Sequence, residues 1–105
     1  MFIYGLKNCD SCRKAINSLP NAVFVDTRAT PMSTGKLATF LAAFPDTLVN
    51  RRSTTWRNLS EEARTGNPID LISEHPALMK RPVIEVDGKF LLGWTAEVRV
   101  ALGVS

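Results

Sequence analysis

Two cysteines, the only two in the chain, stand three residues apart where an apolar run gives way to a helical pattern. Met1-Phe2-Ile3-Tyr4 leads into Cys9-Asp10-Ser11-Cys12, and Arg13-Lys14-Ala15-Ile16 leads out. Residues 2–5 read as a first strand, apolar enough to be buried on both faces. Residues 11–19 read as a helix, with Ala15, Ile16 and Leu19 on one stripe and Pro20-Asn21 after it. Ala22-Val23-Phe24-Val25 reads as a second strand. Strand, helix and strand in such short order make a βαβ unit, whose crossover is right-handed as a rule. That restricts the chain to an α/β sheet with a Cys-x-x-Cys pair at its first strand-to-helix junction.

The position of the pair sets its chemistry. A cysteine just before the first helical residues lies beside unpaired backbone N–H groups at the positive end of the helix dipole. Such settings lower a thiol pKa from about 8.5 to roughly 3.5–7.5. Cys12, one turn on, is within disulfide reach of Cys9. One Cys-x-x-Cys with His75 as the sole histidine gives too few ligands for structural zinc. A disulfide closing so short a loop constrains the unfolded chain little. A redox or nucleophilic pair is the favoured reading.

The remaining chain is consistent with one domain of 105 residues. Thirteen basic and ten acidic residues give a net charge of +3, too mild and too evenly spread to argue for direct nucleic-acid binding. No apolar stretch approaches the roughly 18 residues of a membrane helix, and Met1-Phe2-Ile3-Tyr4 lacks the features of a secretory signal. The expectation is a cytoplasmic monomer, in a compartment that keeps thiols reduced.

Residues 33–44 read as a second helix capped by Ser33, with Leu37, Phe40, Leu41 and Phe44 at helical spacing. Arg51-Arg52 precede a short helix holding Trp56 and Leu59; Ser60 caps a turn with Glu61 and Glu62. Asn67-Pro68 opens a further helix that closes at Glu74-His75-Pro76. His75 reads as a helix-end residue rather than a catalyst. Pro82-Val83-Ile84-Glu85-Val86, Asp87-Gly88 and Lys89-Phe90-Leu91-Leu92-Gly93 read as a β-hairpin. Thr95 then caps a last helix with Val98, Ala101 and Leu102 facing the core.

These residues resemble a known family. The stretch from Ile3 to Ala15 is similar to the Ile-Tyr…Cys-x-x-[Cys/Ser]-Arg signature of the ArsC/Spx proteins. Glu74-His75-Pro76…Lys80-Arg81-Pro82-Val83 is similar to their His-Pro…Arg-Pro-[Ile/Val] segment, and Asn50 to Arg57 looks most like the bacterial YffB subgroup. The resemblance covers essentially the whole chain. It implies a thioredoxin-like, glutaredoxin-like α/β fold: a mixed four-stranded sheet flanked by helices, with residues 1–28 and 77–105 as the core. Residues 29–76 form a mainly helical insertion between the βαβ and ββα halves. It also implies that Cys9 is the catalytic cysteine and that Pro82 follows a cis bond.

The activity implied is a glutathione-dependent thiol–disulfide reductase with no bound cofactor and glutathione as co-substrate. Cys9 would be the nucleophile and Cys12 the resolving thiol. Lys7, Asn8, Arg13, Arg51, Arg52, Arg81 and Pro82 would surround glutathione or another small thiol or disulfide substrate, whereas Lys14 reads as a solvated charge. Arsenate reductases of the family use three arginines. Only Arg81 matches plainly; Asn50 stands at a second position, with Arg51 and Arg52 just after it, and Gly93 at the third. Oxyanion binding needs several converging cationic donors, so arsenate is disfavoured as substrate. A second function stays open: a redox-sensitive transcriptional regulator of Spx type, binding the RNA polymerase alpha subunit.

Overall fold

The computed structural model describes residues 1–104. Strand β1 (Phe2–Gly5) pairs in parallel with β2 (Val23–Asp26) and antiparallel with β3 (Val83–Val86). A hairpin joins β3 to β4 (Lys89–Leu92), so the order across the mixed sheet is β2-β1-β3-β4. At its turn, Asp87 and Gly88 take φ of +50° and +76°, the primed geometry that suits a two-residue hairpin. Helix α1 (Asp10–Ser18) connects β1 to β2, and α6 (Ala96–Ala101) follows β4.

Both helices pack on one face of the sheet. Ile3 and Ile84, opposite each other in the β1–β3 register, join Ala15 and Leu19 from the first helical segment and Val98 from α6. Phe24, Leu91, Trp94 and Leu102 close around them. Two expectations need correcting. Phe2 remains 40% exposed, so β1 is fully buried only from Ile3 onward. Ala101 is exposed too: α6 is only six residues long, and Val98 with Leu102, a full turn apart, form its inward stripe.

The chain divides into two compact units, Met1–Thr30 together with the chain from Arg81 onward, and Pro31–Lys80. The second contains α2 (Thr34–Ala43), α3 (Thr54–Arg57), α4 (Glu61–Arg64) and α5 (Pro68–Glu74). Short helices need closed ends, and each has one. The side chains of Ser33, Ser53, Ser60 and Asn67 accept from the N–H groups of Lys36, Trp56, Ala63 and Ile69. Leu37, Phe40, Leu71, Ile72 and Leu78 are buried in this unit. His75 caps the end of α5, ahead of a 3₁₀ turn at Pro76–Leu78. That turn, and an antiparallel bridge between Val49 and Met79, went unanticipated because neither is long enough to show periodicity. Among the described residues, no helix is long and apolar enough to cross a membrane.

Candidate active site

Cys9 is the N-cap of α1. Its backbone is extended, with φ −109° and ψ 122°, and its carbonyl accepts the Arg13 N–H at 3.0 Å. The Cys9 N–H in turn donates to the Leu6 carbonyl at 3.3 Å, which folds the Leu6–Cys9 segment into a tight turn at the end of β1. The sulfur closes no capping hydrogen bond of conventional length. It nevertheless lies close enough to the Cys12 N–H for that dipole to favour the thiolate. Partial burial pushes the Cys9 pKa up, but the Cys12 N–H, the Cys12 thiol and the Arg81 guanidinium together carry it below the ordinary thiol value.

Cys12 has the opposite environment. It is 0% exposed, and burial pushes its pKa up to about 12, with the Leu6 N–H opposing and the neighbouring Cys9 sulfur adding to the rise. The thiol is packed against the end of β1. A Cβ on Gly5 would collide with the Cys12 sulfur, so only glycine permits this approach. The Gly5 carbonyl is held by the buried Thr27, whose N–H and hydroxyl donate to it at 2.9 and 3.3 Å. Neither Gly5 nor Thr27 was among the residues expected at the site. A glycine inside an apolar strand, just before the motif, was the available signal for the first; nothing in the sequence marked the second.

Arg81 and Pro82 arrive from the far end of the sequence. The bond between them is cis, as the resemblance implied. Pro82 is buried, Arg81 is half-buried with its guanidinium at the Cys9 sulfur, and the Pro82 carbonyl accepts the Gly93 N–H at 2.8 Å. Gly93 is buried with φ +82°, a conformation a side-chain-bearing residue adopts only with strain. The absence of an arginine at that position is therefore written into the backbone.

The structure thus brings Cys9, Cys12, Arg81 and Pro82 together, with Lys7 and Asn8 exposed in the turn before Cys9 and Arg13 exposed on α1. Lys7 adds its positive charge to the Arg28 and Ala29 N–H groups that hold the Asp26 carboxyl below its usual range. Lys14 is engaged with Asp10 at 3.3 Å on the exposed side of α1. Arg51 and Arg52 belong to the helical unit, where they line a cavity with Lys80. Among the described residues, no group of three or more His, Cys, Asp or Glu side chains is placed to hold a metal ion.

Comparison with known proteins agrees with this geometry. The model of the ArsC family matches residues 4–101. An uncharacterized protein of Haemophilus influenzae is 38% identical over 101 residues, covering 88% of this chain and 89% of its own. Among solved structures, a YFFB protein superposes with a TM-score of 0.86 at 30% identity, covering 95% of this chain and 96% of its own. An arsenate reductase (ArsC) related protein from Brucella melitensis superposes at 0.74 with 34% identity, over 95% and 91%. A half-exposed cysteine at a helix start, a cis-proline beside it and a βαβ–ββα sheet thus accompany the sequence match, and the chain belongs to the ArsC family, with its thioredoxin-like fold.

Proposed function

We propose that the protein is a glutathione-dependent thiol–disulfide reductase in which Cys9 is the nucleophile. The observation that carries the reading is the contrast between the two sulfurs. Cys9 is accessible with its thiolate favoured, whereas Cys12 is buried with its proton retained. The Cys9 thiolate attacks one sulfur of a mixed disulfide between a substrate thiol and glutathione. A new bond forms to the glutathione sulfur, and the substrate leaves as a thiolate that takes a proton from water. A second glutathione thiolate then attacks the Cys9–glutathione disulfide, releasing oxidised glutathione and restoring the Cys9 thiolate.

Arg81 stabilises the thiolate at the start and end of this cycle. Lys7, Asn8 and Arg13 offer polar and positive groups around the same turn for the carboxylates of the tripeptide. The burial of Cys12 supports a role beside Cys9, as a thiol that donates toward the thiolate, in preference to the resolving role expected from the sequence. The experiment is a glutathione-coupled assay on a small mixed disulfide. Cys9→Ser abolishes turnover, while Cys12→Ser retains most of it. Equal loss in both variants, or no amide shift at Cys9, Arg81 and residues 93–96 in millimolar glutathione, overturns the reading.

A further inference from the structure

We infer that the helical unit carries an anion site of its own, built by Arg51, Arg52 and Lys80 and suited to a phosphate group carried by a small molecule or to inorganic phosphate itself. The three cations line a cavity of about 390 Å³ together with Asp46, Val49 and Asn50. That size falls in the roughly 300–1,000 Å³ range of small-ligand pockets. Three cations against the one carboxylate of Asp46 leave two positive charges, which a phosphate dianion matches and a monocarboxylate does not.

The backbone beneath these side chains is fixed at several points. The Asn50 N–H donates to the Leu78 carbonyl and the Lys80 N–H to the Leu48 carbonyl, both at 2.7 Å, which sets Lys80 beside the 49–50 segment. The Asn50 side chain accepts the Arg52 N–H at 3.1 Å, and the Ser53 hydroxyl donates to the Asn50 carbonyl at 2.7 Å. Arg51 is steadied as well: its guanidinium lies 5.5 Å from the centre of the Trp56 ring and donates to the Asp46 carbonyl at 3.4 Å. Arg64 lies 5.6 Å from the same ring and donates to the Trp56 and Arg57 carbonyls, which holds the indole in place.

Among the described residues, none of the three cations is ion-paired. Three cations lining one cavity over a fixed backbone, with no carboxylate ion-paired to them, suit an anion, and a guanidinium presents the paired donors that phosphate oxygens accept. The site does not depend on thiol chemistry, and it stands whether or not the glutathione reading holds.

The test is an NMR titration of the full chain with inorganic phosphate and, separately, with phenyl phosphate, at constant ionic strength. Saturable amide shifts centred on residues 50–52 and 80 are expected, and the same shifts in Cys9→Ser. Tighter binding of phenyl phosphate marks a monoester as the ligand, and tighter binding of inorganic phosphate marks the free anion. Arg52→Ala and Lys80→Ala each weaken binding by about tenfold, the loss of one charge-assisted hydrogen bond. The same titration of Arg52→Lys, which keeps the charge but not the fork, gives an intermediate loss and a correctly folded control. Absence of saturation, shifts centred on Cys9 and Arg81, or affinities unchanged in both alanine variants would overturn the proposal.

Discussion

The Arg81 guanidinium reaches the sulfur of Cys9 from the residue that precedes the cis-proline, so the charge partner of the nucleophile is supplied by the opposite end of the chain. Removing that charge has a directional consequence. Arg81→Gln raises the Cys9 pKa, and the midpoint of its alkylation rate against pH moves upward relative to the unaltered protein. A profile that stays in place would show that the Cys12 N–H and thiol alone set the acidity of Cys9.

The two cysteines make opposite contributions to stability as pH changes. Cys12 has a folded pKa raised to about 12, so the folded state holds its proton more tightly than the unfolded chain does. Its contribution is complete below the unfolded thiol value of about 8.5 and is lost as pH rises from there toward 12. Cys9, with a lowered folded pKa, contributes above the unfolded value, and that contribution is lost as pH falls through its folded pKa. Urea unfolding at pH values of about 8 and 10.5 therefore shows a larger loss for the unaltered chain than for Cys12→Ala. Parallel losses would mean that the Cys12 thiol titrates normally in the fold.

Gly5→Ala forces a methyl group onto the Cys12 sulfur. Overpacking of this kind costs about 1–3 kcal/mol, read as a lower denaturation midpoint. Because the collision involves one side chain, Gly5→Ala combined with Cys12→Ala recovers part of the loss, and a double-mutant cycle gives a coupling of the same order. Strict additivity would contradict the contact.

Gly93→Ala costs about 1–2 kcal/mol for a side chain held at positive φ. Gly93→Arg carries the same backbone penalty and still leaves Asn50 at the second of the three arginine positions, so no arsenate turnover is expected from that variant. Unchanged stability in both variants would show that the loop relaxes freely.

Much of this was legible before any coordinates. Ser33, Ser60, Asn67 and Thr95 are all N-caps where the sequence puts a hydroxyl or amide ahead of an apolar pattern, whereas the run Ser53-Thr54-Thr55 offers three hydroxyls and only the structure picks Ser53. Capping chemistry is local, so a few consecutive residues state it completely. Asp87-Gly88 declared its hairpin for the same reason. The Arg81-Pro82 segment could be joined to Cys9 only through resemblance, because no local rule links residues so distant in sequence. Gly5 against Cys12 and Thr27 against Gly5 are close approaches between elements, invisible to periodicity. The bridge from Val49 to Met79, which sets Lys80 beside Asn50, was hidden likewise.

The sheet order carries one last consequence, for how the protein comes into being. β1 is made before its antiparallel partner β3 and the arginine at the Cys9 sulfur, which lie beyond residue 80. The contiguous helical unit, in contrast, has its whole sequence between Pro31 and Lys80. During synthesis the Cys9 thiol therefore exists for a time without that guanidinium and without the strand that pairs with β1. A fragment ending before Arg81 retains both cysteines and lacks both the guanidinium that helps favour the Cys9 thiolate and the antiparallel partner of β1.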